Sequence, residues 1–188
     1  KALHVAARTG SPLMLFRGLL EEEVGIRERV LRVSRREALR ECVEAKDGLL
    51  RTPLLVAAAG GQVQMVRFLL SPEVAARVDA VGEEGKTALH LAASGGHLTV
   101  VNELLHALRE KGGGNGLEGE TGGHFGESES GETVVSLGAR ARDWSGGGAV
   151  HVASALGRED IVDRLCEGGG DPNSQRDDGA PPVLLAAR

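Results

Sequence analysis

Tyrosine is absent from the 188 residues of this chain, and other large aromatics are scarce: one Trp and three Phe. Aromatic side chains normally supply much of a globular core, so here the core has to come from Leu, Val, Ile and Ala. Stacked helices allow this, because small side chains let backbones approach closely. Cysteine is nearly missing too. Cys42 and Cys166 lie far apart, with no CxxC and no Cys/His cluster. That argues against a disulfide framework and fits a reducing intracellular setting, cytoplasmic or nuclear. No apolar run reaches the roughly 18–20 residues needed to cross a bilayer. Basic residues are not in excess either; the net charge is −5, whereas nucleic acid calls for a basic footprint. No starting Met, signal peptide or cleavage site is legible. What remains, 41% hydrophobic and 26% charged, suits an ordinary globular domain.

What the chain does have is internal repetition. Four stretches align without gaps: KALHVAARTGSPLMLFRGLL from Lys1, TPLLVAAAGGQVQMVRFLL from Thr52, TALHLAASGGHLTVVNELL from Thr87 and GAVHVASALGREDIVDRLC from Gly148. A fifth, PPVLLAAR from Pro181, runs to the last residue. The step from Gly148 to Pro181 is 33 residues. The pattern resembles the ankyrin repeat, G-x-T-P-L-H-x-A-A-x-x-G-H followed by V-V-x-x-L-L and G-A-D-x-N, whose period is about 33. The third copy is the fullest, with Gly85, Thr87, Leu89, His90, Ala92, Ala93, Gly96, His97, Val100, Val101, Leu104 and Leu105 in place. Gly169, Asp171, Asn173 and Gly179 follow the fourth at the family's offsets.

Physical chemistry accounts for the pattern. Thr52 and Thr87 stand where a helix starts, and a hydroxyl there accepts an orphan backbone N–H. Pro53 takes the first helical position, where its missing N–H costs nothing. Leu89, Ala92 and Ala93 make a narrow apolar stripe on a short helix. Gly61, Gly96 and Gly157 permit the left-handed conformation that ends it. A second helix follows with Val100, Val101, Leu104 and Leu105 facing inward, and turn-rich residues join one unit to the next. No unit can bury its apolar face alone, so the units stack.

Two steps depart from the period. From Lys1 to Thr52 it is 51 residues, about 18 too many for the family. The excess, EEEVGIRERVLRVSRREALREC at about 21–42, predicts an extended second helix and then a short extra one. Ser34 and Glu37 have the spacing of a capping box for that extra helix. Gly18 replaces an expected Leu and predicts a weakened second helix in the first unit. From Thr87 to Gly148 the step is 61 residues. Here the excess, at about 111–137, is glycine-rich and acidic, and is expected to be a disordered loop, unprotected in amide exchange from about Lys111 to Thr133. A slightly longer loop is expected around Ser71–Arg77. Leu55 and Leu184 replace His, Gly148 replaces Thr and Ser154 replaces Ala, which predicts weaker individual units.

Motifs for chemistry are few. His4, His90 and His151 share one slot of the repeat, and successive units stand about 8–10 Å apart, too far for them to share a metal easily. The resemblance implies that these imidazoles tie adjacent repeats together, and His97 fills the family's G-H position. His106 and His124 read as surface residues. Gly114, Gly116 and Gly119 spell a dinucleotide fingerprint, but a helix precedes them and an acidic tract follows. Gly85-Lys86-Thr87 imitates a phosphate loop with Ala80 where its first glycine belongs. Asp171, Asp177 and Asp178 lack calcium-loop spacing and read as a solvated turn. Arg29, Arg32, Arg36 and Arg40 have helical spacing, but neighbouring glutamates nearly neutralise that stripe. No nucleophile, base and orienting group can be assembled, and no metal, cofactor or small-molecule substrate is called for.

The expected fold class is therefore all-α: an ankyrin-repeat solenoid of stacked helix-turn-helix units with hairpin loops and two insertions. It forms one array over 1–188, with units near 1–20, 52–84, 85–110 and 146–178 and a partial one at 179–188. The resemblance implies a non-catalytic surface for a protein partner, formed by hairpin tips and the first-helix face. On this alignment the surface includes Arg8, Thr9, Glu83, Glu84, Lys86, Ser94, Trp144, Arg176, Asp177 and Asp178. Trp144 is the expected anchor, although packing against a neighbouring loop or the glycine-rich insertion is an equal alternative. Because the chain starts and stops inside repeats, a rival reading makes it the regulatory or targeting arm of a larger enzyme or channel.

Overall fold

The computed structural model describes residues 2–112 and 140–186. The glycine-rich insertion from 113 onward, with Gly114, Gly116, Gly119 and His124, lies outside the described residues. Among the described residues the only β pairing is an isolated bridge between Arg142 and Gly148, so the fold is helical.

Each repeat places its small residues where helices meet. The first helices of successive units are α1 (Ala2–Thr9), α4 (Pro53–Ala59), α6 (Ala88–Gly95), α8 (Ala149–Ala155) and α10 (Pro182–Ala186). They pack in one row, α1 on α4, α4 on α6, α6 on α8 and α8 on α10. The alanine pairs Ala6–Ala7, Ala57–Ala58 and Ala92–Ala93, with Ala153–Ser154, are all buried in this row. A larger side chain there would force the units apart. The second helices form an outer row: α2 (Leu13–Leu31), α5 (Val63–Leu70), α7 (Leu98–Gly112) and α9 (Glu159–Glu167). Their inward residues, among them Leu69, Val101, Leu104, Leu105 and Leu165, are fully buried, each contributing about 1.5–3 kcal/mol.

The helix boundaries have local causes. Thr52 Oγ1 accepts the Leu55 amide, and Pro53 follows at the first helical position. Thr87 caps α6 through His90: the Thr87 amide donates to His90 Nδ1 at 3.3 Å, and the Thr87 hydroxyl lies 2.8 Å from the same nitrogen. Gly61, Gly96 and Gly157 take φ of 67°, 74° and 63° where the first helices end.

In the first unit α2 runs for 19 residues and passes through Gly18 without a break. Gly18 faces solvent with nothing near its missing Cβ, so helix continuity rests on the Phe16, Leu20 and Val24 face, which is buried. The extra helix α3 (Arg35–Val43) begins at Ser34, whose hydroxyl accepts the Glu37 amide at 3.3 Å. It folds back on α2 and buries Ala38, Cys42 and Val43. The arginine stripe is therefore split. Arg32 adopts φ 55° and terminates α2, which leaves Arg29 on one helix and Arg36 and Arg40 on the next. Between α2 and α5 the join is aromatic: Phe16 and Phe68 meet edge-on at 6.0 Å, and Arg17 lies over the Phe68 ring and pairs with Glu73.

Candidate functional site

Between units the chain makes a tight turn whose tip projects from the stack. Two of the tips are built around an aspartate. Asp47 Oδ1 accepts the amides of Leu49 and Arg51, both at 2.9 Å, while its Oδ2 receives the Arg51 guanidinium. Burial alone would raise this carboxyl; Arg51 and the two amides outweigh it and hold the pKa at about 2. In the third tip Asp143 Oδ1 accepts the amides of Ser145 and Gly147 and the Ser145 hydroxyl. Here too burial opposes ionisation, and the Ser145 and Gly147 donors win, lowering the pKa. Each tip places a residue in the same left-handed slot, Leu50, Gly85, Gly146 and Gly179, and in the second tip Glu84 is left-handed as well, at φ 58°.

Neighbouring tips are tied edge to edge. The Trp144 amide donates to the Glu84 carbonyl at 2.9 Å, and the Asp177 amide to the Ser145 carbonyl at 3.2 Å. Arg176 Nη2 donates to Ser145 Oγ at 2.9 Å. Lys86 pairs with Glu84 on its own tip, and Lys46 Nζ reaches the Val81 carbonyl. Six of the residues picked from the alignment thus form one linked group: Glu84, Lys86, Trp144, Arg176, Asp177 and, beside Glu84, Glu83. Asp178 adjoins them, its carboxylate accepting the Ala180 amide.

Below the tips lies the exposed side of the first helices. Arg8 and Ser94 hold the same repeat position as Ala59 and Ala155, and all four are exposed. Thr9 is exposed as well, but its hydroxyl is occupied by the Val5 carbonyl and Ser11. Arg8 and Thr9 stand on the first unit, apart from the linked tips.

Histidines lock this surface in place. His4 Nε2 lies 2.8 Å from the Arg51 carbonyl, His90 Nε2 3.1 Å from Gly147 and His151 Nε2 3.0 Å from Ser174. Each partner belongs to the next turn along the stack. The Gly148 amide donates to His151 Nδ1 as the Thr87 amide does to His90, so in both rings the proton sits on Nε2 and is donated forward. Burial lowers the pKa of all three, against the pull of those carbonyls. His97 points the other way and lies 3.2 Å from the Ala59 carbonyl of the preceding unit. Among the described residues no three His, Cys, Asp or Glu side chains converge as metal ligands.

Some exposed apolar residues of this surface escaped the alignment. Leu49, Leu50 and Val81 on the first two tips, Val5 on α1 and Leu156 just after α8 are all close to half exposed. Leu49-Leu50 beside Asp47 was the available signal: two leucines in a turn are not core residues.

A family model described as ankyrin repeats, in three copies, matches residues 3–112, more than half of the chain. No curated protein matches it. The unit formed by α8 and α9 lies beyond the matched span and stacks on α6 and α7 in the same two rows.

Proposed function

The chain belongs to the ankyrin-repeat family, a family that generally mediates protein–protein interaction, and from this we propose that it is a non-catalytic docking surface for a protein partner. The observation that carries the reading is Trp144, which is 74% exposed on a tip whose backbone is fixed to both neighbours. An exposed Trp on a rigid support gives a large contact area with little ordering cost, the usual makings of a binding hot spot. Glu83, Glu84, Lys86, Arg176, Asp177 and Asp178 surround it as a polar rim, and Arg8, Thr9 and Ser94 extend the surface along the first helices. The repeats themselves supply the scaffold, since their histidine ties and buried alanines keep the tips in register. The two free cysteines, one of them buried, support a reducing cytoplasmic or nuclear setting.

Affinity capture with the complete protein, followed by measurement with the captured partner, tests the reading. Trp144→Ala is expected to weaken binding at least tenfold and to leave the thermal midpoint nearly unchanged. A large loss of stability with intact binding would assign Trp144 to packing and overturn it.

A further inference from the structure

The tips differ in chemistry, and the contrast is sharpest around Trp144. The indole is anchored by one edge: it lies against Gly85, where a Cβ would stand 2.6 Å from Trp144 Cδ1. The rest of the ring is open, at 74% exposure. The tips bonded to this one on either side carry carboxylates, Glu83 and Glu84 on the preceding tip and Asp177 and Asp178 on the following one. The cations on these tips are Lys86, paired with Glu84, Arg176, which donates to the uncharged Ser145 hydroxyl and keeps its own charge, and the exposed Arg142, so the four carboxylates still outnumber them. Glu83, Asp177 and Asp178 make no ion pair among the described residues. An indole face attracts cations through its quadrupole, and carboxylates on either side add to that attraction and guide the approach of positive charge.

We propose that the partner presents a basic segment to these three tips, with an arginine or lysine laid on the Trp144 ring between the two pairs of carboxylates. This rests on the docking reading and adds the chemistry of the occupant. The same carboxylates repel acidic segments, so the surface selects its partner by charge as well as by apolar contact.

Trp144 is the chain's only tryptophan, so its fluorescence reports from the site itself. The probes are a synthetic peptide of sequence GRLRLRG and its counterparts GQLQLQG and GELELEG, titrated into the full chain at low salt. The arginine peptide is expected to change the emission saturably and to bind at least tenfold more tightly than the glutamine peptide, with no response to the glutamate one. Raising the salt should weaken it. Combined Glu83→Gln, Glu84→Gln, Asp177→Asn and Asp178→Asn should cost at least tenfold in affinity. The pair Glu83→Gln and Asp177→Asn serves if the fourfold variant does not fold. No response to the arginine peptide, equal binding of the glutamine peptide, or an unaltered affinity in the neutralised variant overturns the proposal. A random-peptide display selection on the full chain separates this from the wider reading. Trp144-dependent peptides without basic residues would overturn the cationic occupant alone, and a complete absence of Trp144-dependent peptides would overturn both.

Discussion

His90 of the third repeat holds Gly147 of the fourth: Nε2 donates to the Gly147 carbonyl at 3.1 Å across 57 positions of sequence. The ring is 1% exposed, and its Nδ1 is already occupied by the Thr87 amide and hydroxyl. Each nitrogen therefore has a fixed role. The bond closes the interval that contains the long insertion and fastens α8 to α6. The second repeat has no such tie, because Leu55 fills the slot and packs against Gly82 instead.

Replacing that histidine should loosen the fourth unit selectively. His90→Ala removes a buried ring and leaves the Gly147 carbonyl without its partner, a loss of about 2–4 kcal/mol. Amides of α8 and α9 should exchange faster in the variant while those of α4 and α5 change little. Uniform acceleration along the stack would show that His90 does not localise the coupling.

The histidines also make stability depend on pH. His4, His90 and His151 are lowered by burial, while the unfolded chain keeps a value of about 6.5. Below that pH the unfolded state binds protons that the folded state refuses. Stability is thus fully present above about pH 6.5 and falls as the pH drops toward the lowered folded values. Denaturant midpoints measured from pH 8 to pH 5 should decline below about 6.5, and His90→Gln should flatten part of that decline. Asp47 acts later: with its carboxyl held at about 2, its contribution disappears only as the pH falls below the ordinary carboxylate range.

Much of this was readable in advance because repeated units share one geometry. The T-P-L-H copies disclosed the histidine slot, the threonine caps and the alanine contacts, since each has a fixed offset from the helix start. The parts that were hidden depend on residues standing in for the expected type. Arg32 ends α2 in the left-handed region with no glycine to announce it, so the arginines looked like one stripe. Asp47 and Asp143 build the turns through several simultaneous hydrogen bonds that spacing alone does not reveal. The link from Trp144 to Glu84 joins residues separated by the insertion, and its existence depends on the stacking itself.

Leu50 offers a simple gain in stability. It occupies the left-handed slot that Gly85, Gly146 and Gly179 fill on the other tips, with φ 57° and half its surface exposed. A non-glycine residue there costs roughly 1–2 kcal/mol, while glycine loses about 0.5–1 kcal/mol through the freedom of the unfolded chain. Leu50→Gly should therefore stabilise by about 0.5–1 kcal/mol in chemical denaturation. Leu50→Ala should give no gain, because it keeps the Cβ that causes the strain.

Two glycines of equal conformation separate backbone strain from packing. Gly61 and Gly157 both end first helices, at φ 67° and 63°. Nothing lies within 4 Å of a Cβ placed on Gly157, whereas one on Gly61 would stand 2.5 Å from His97 Nδ1. Gly157→Ala should cost only the left-handed penalty, about 1 kcal/mol. Gly61→Ala should cost about 2–4 kcal/mol, since it also displaces the His97 ring from the Ala59 carbonyl. Combining Gly61→Ala with His97→Ala removes the obstacle, and the glycine substitution should then cost about as little as it does at Gly157. If the two glycine substitutions cost the same in the parent protein, the ring moves aside freely and His97 contributes little to coupling the second and third repeats.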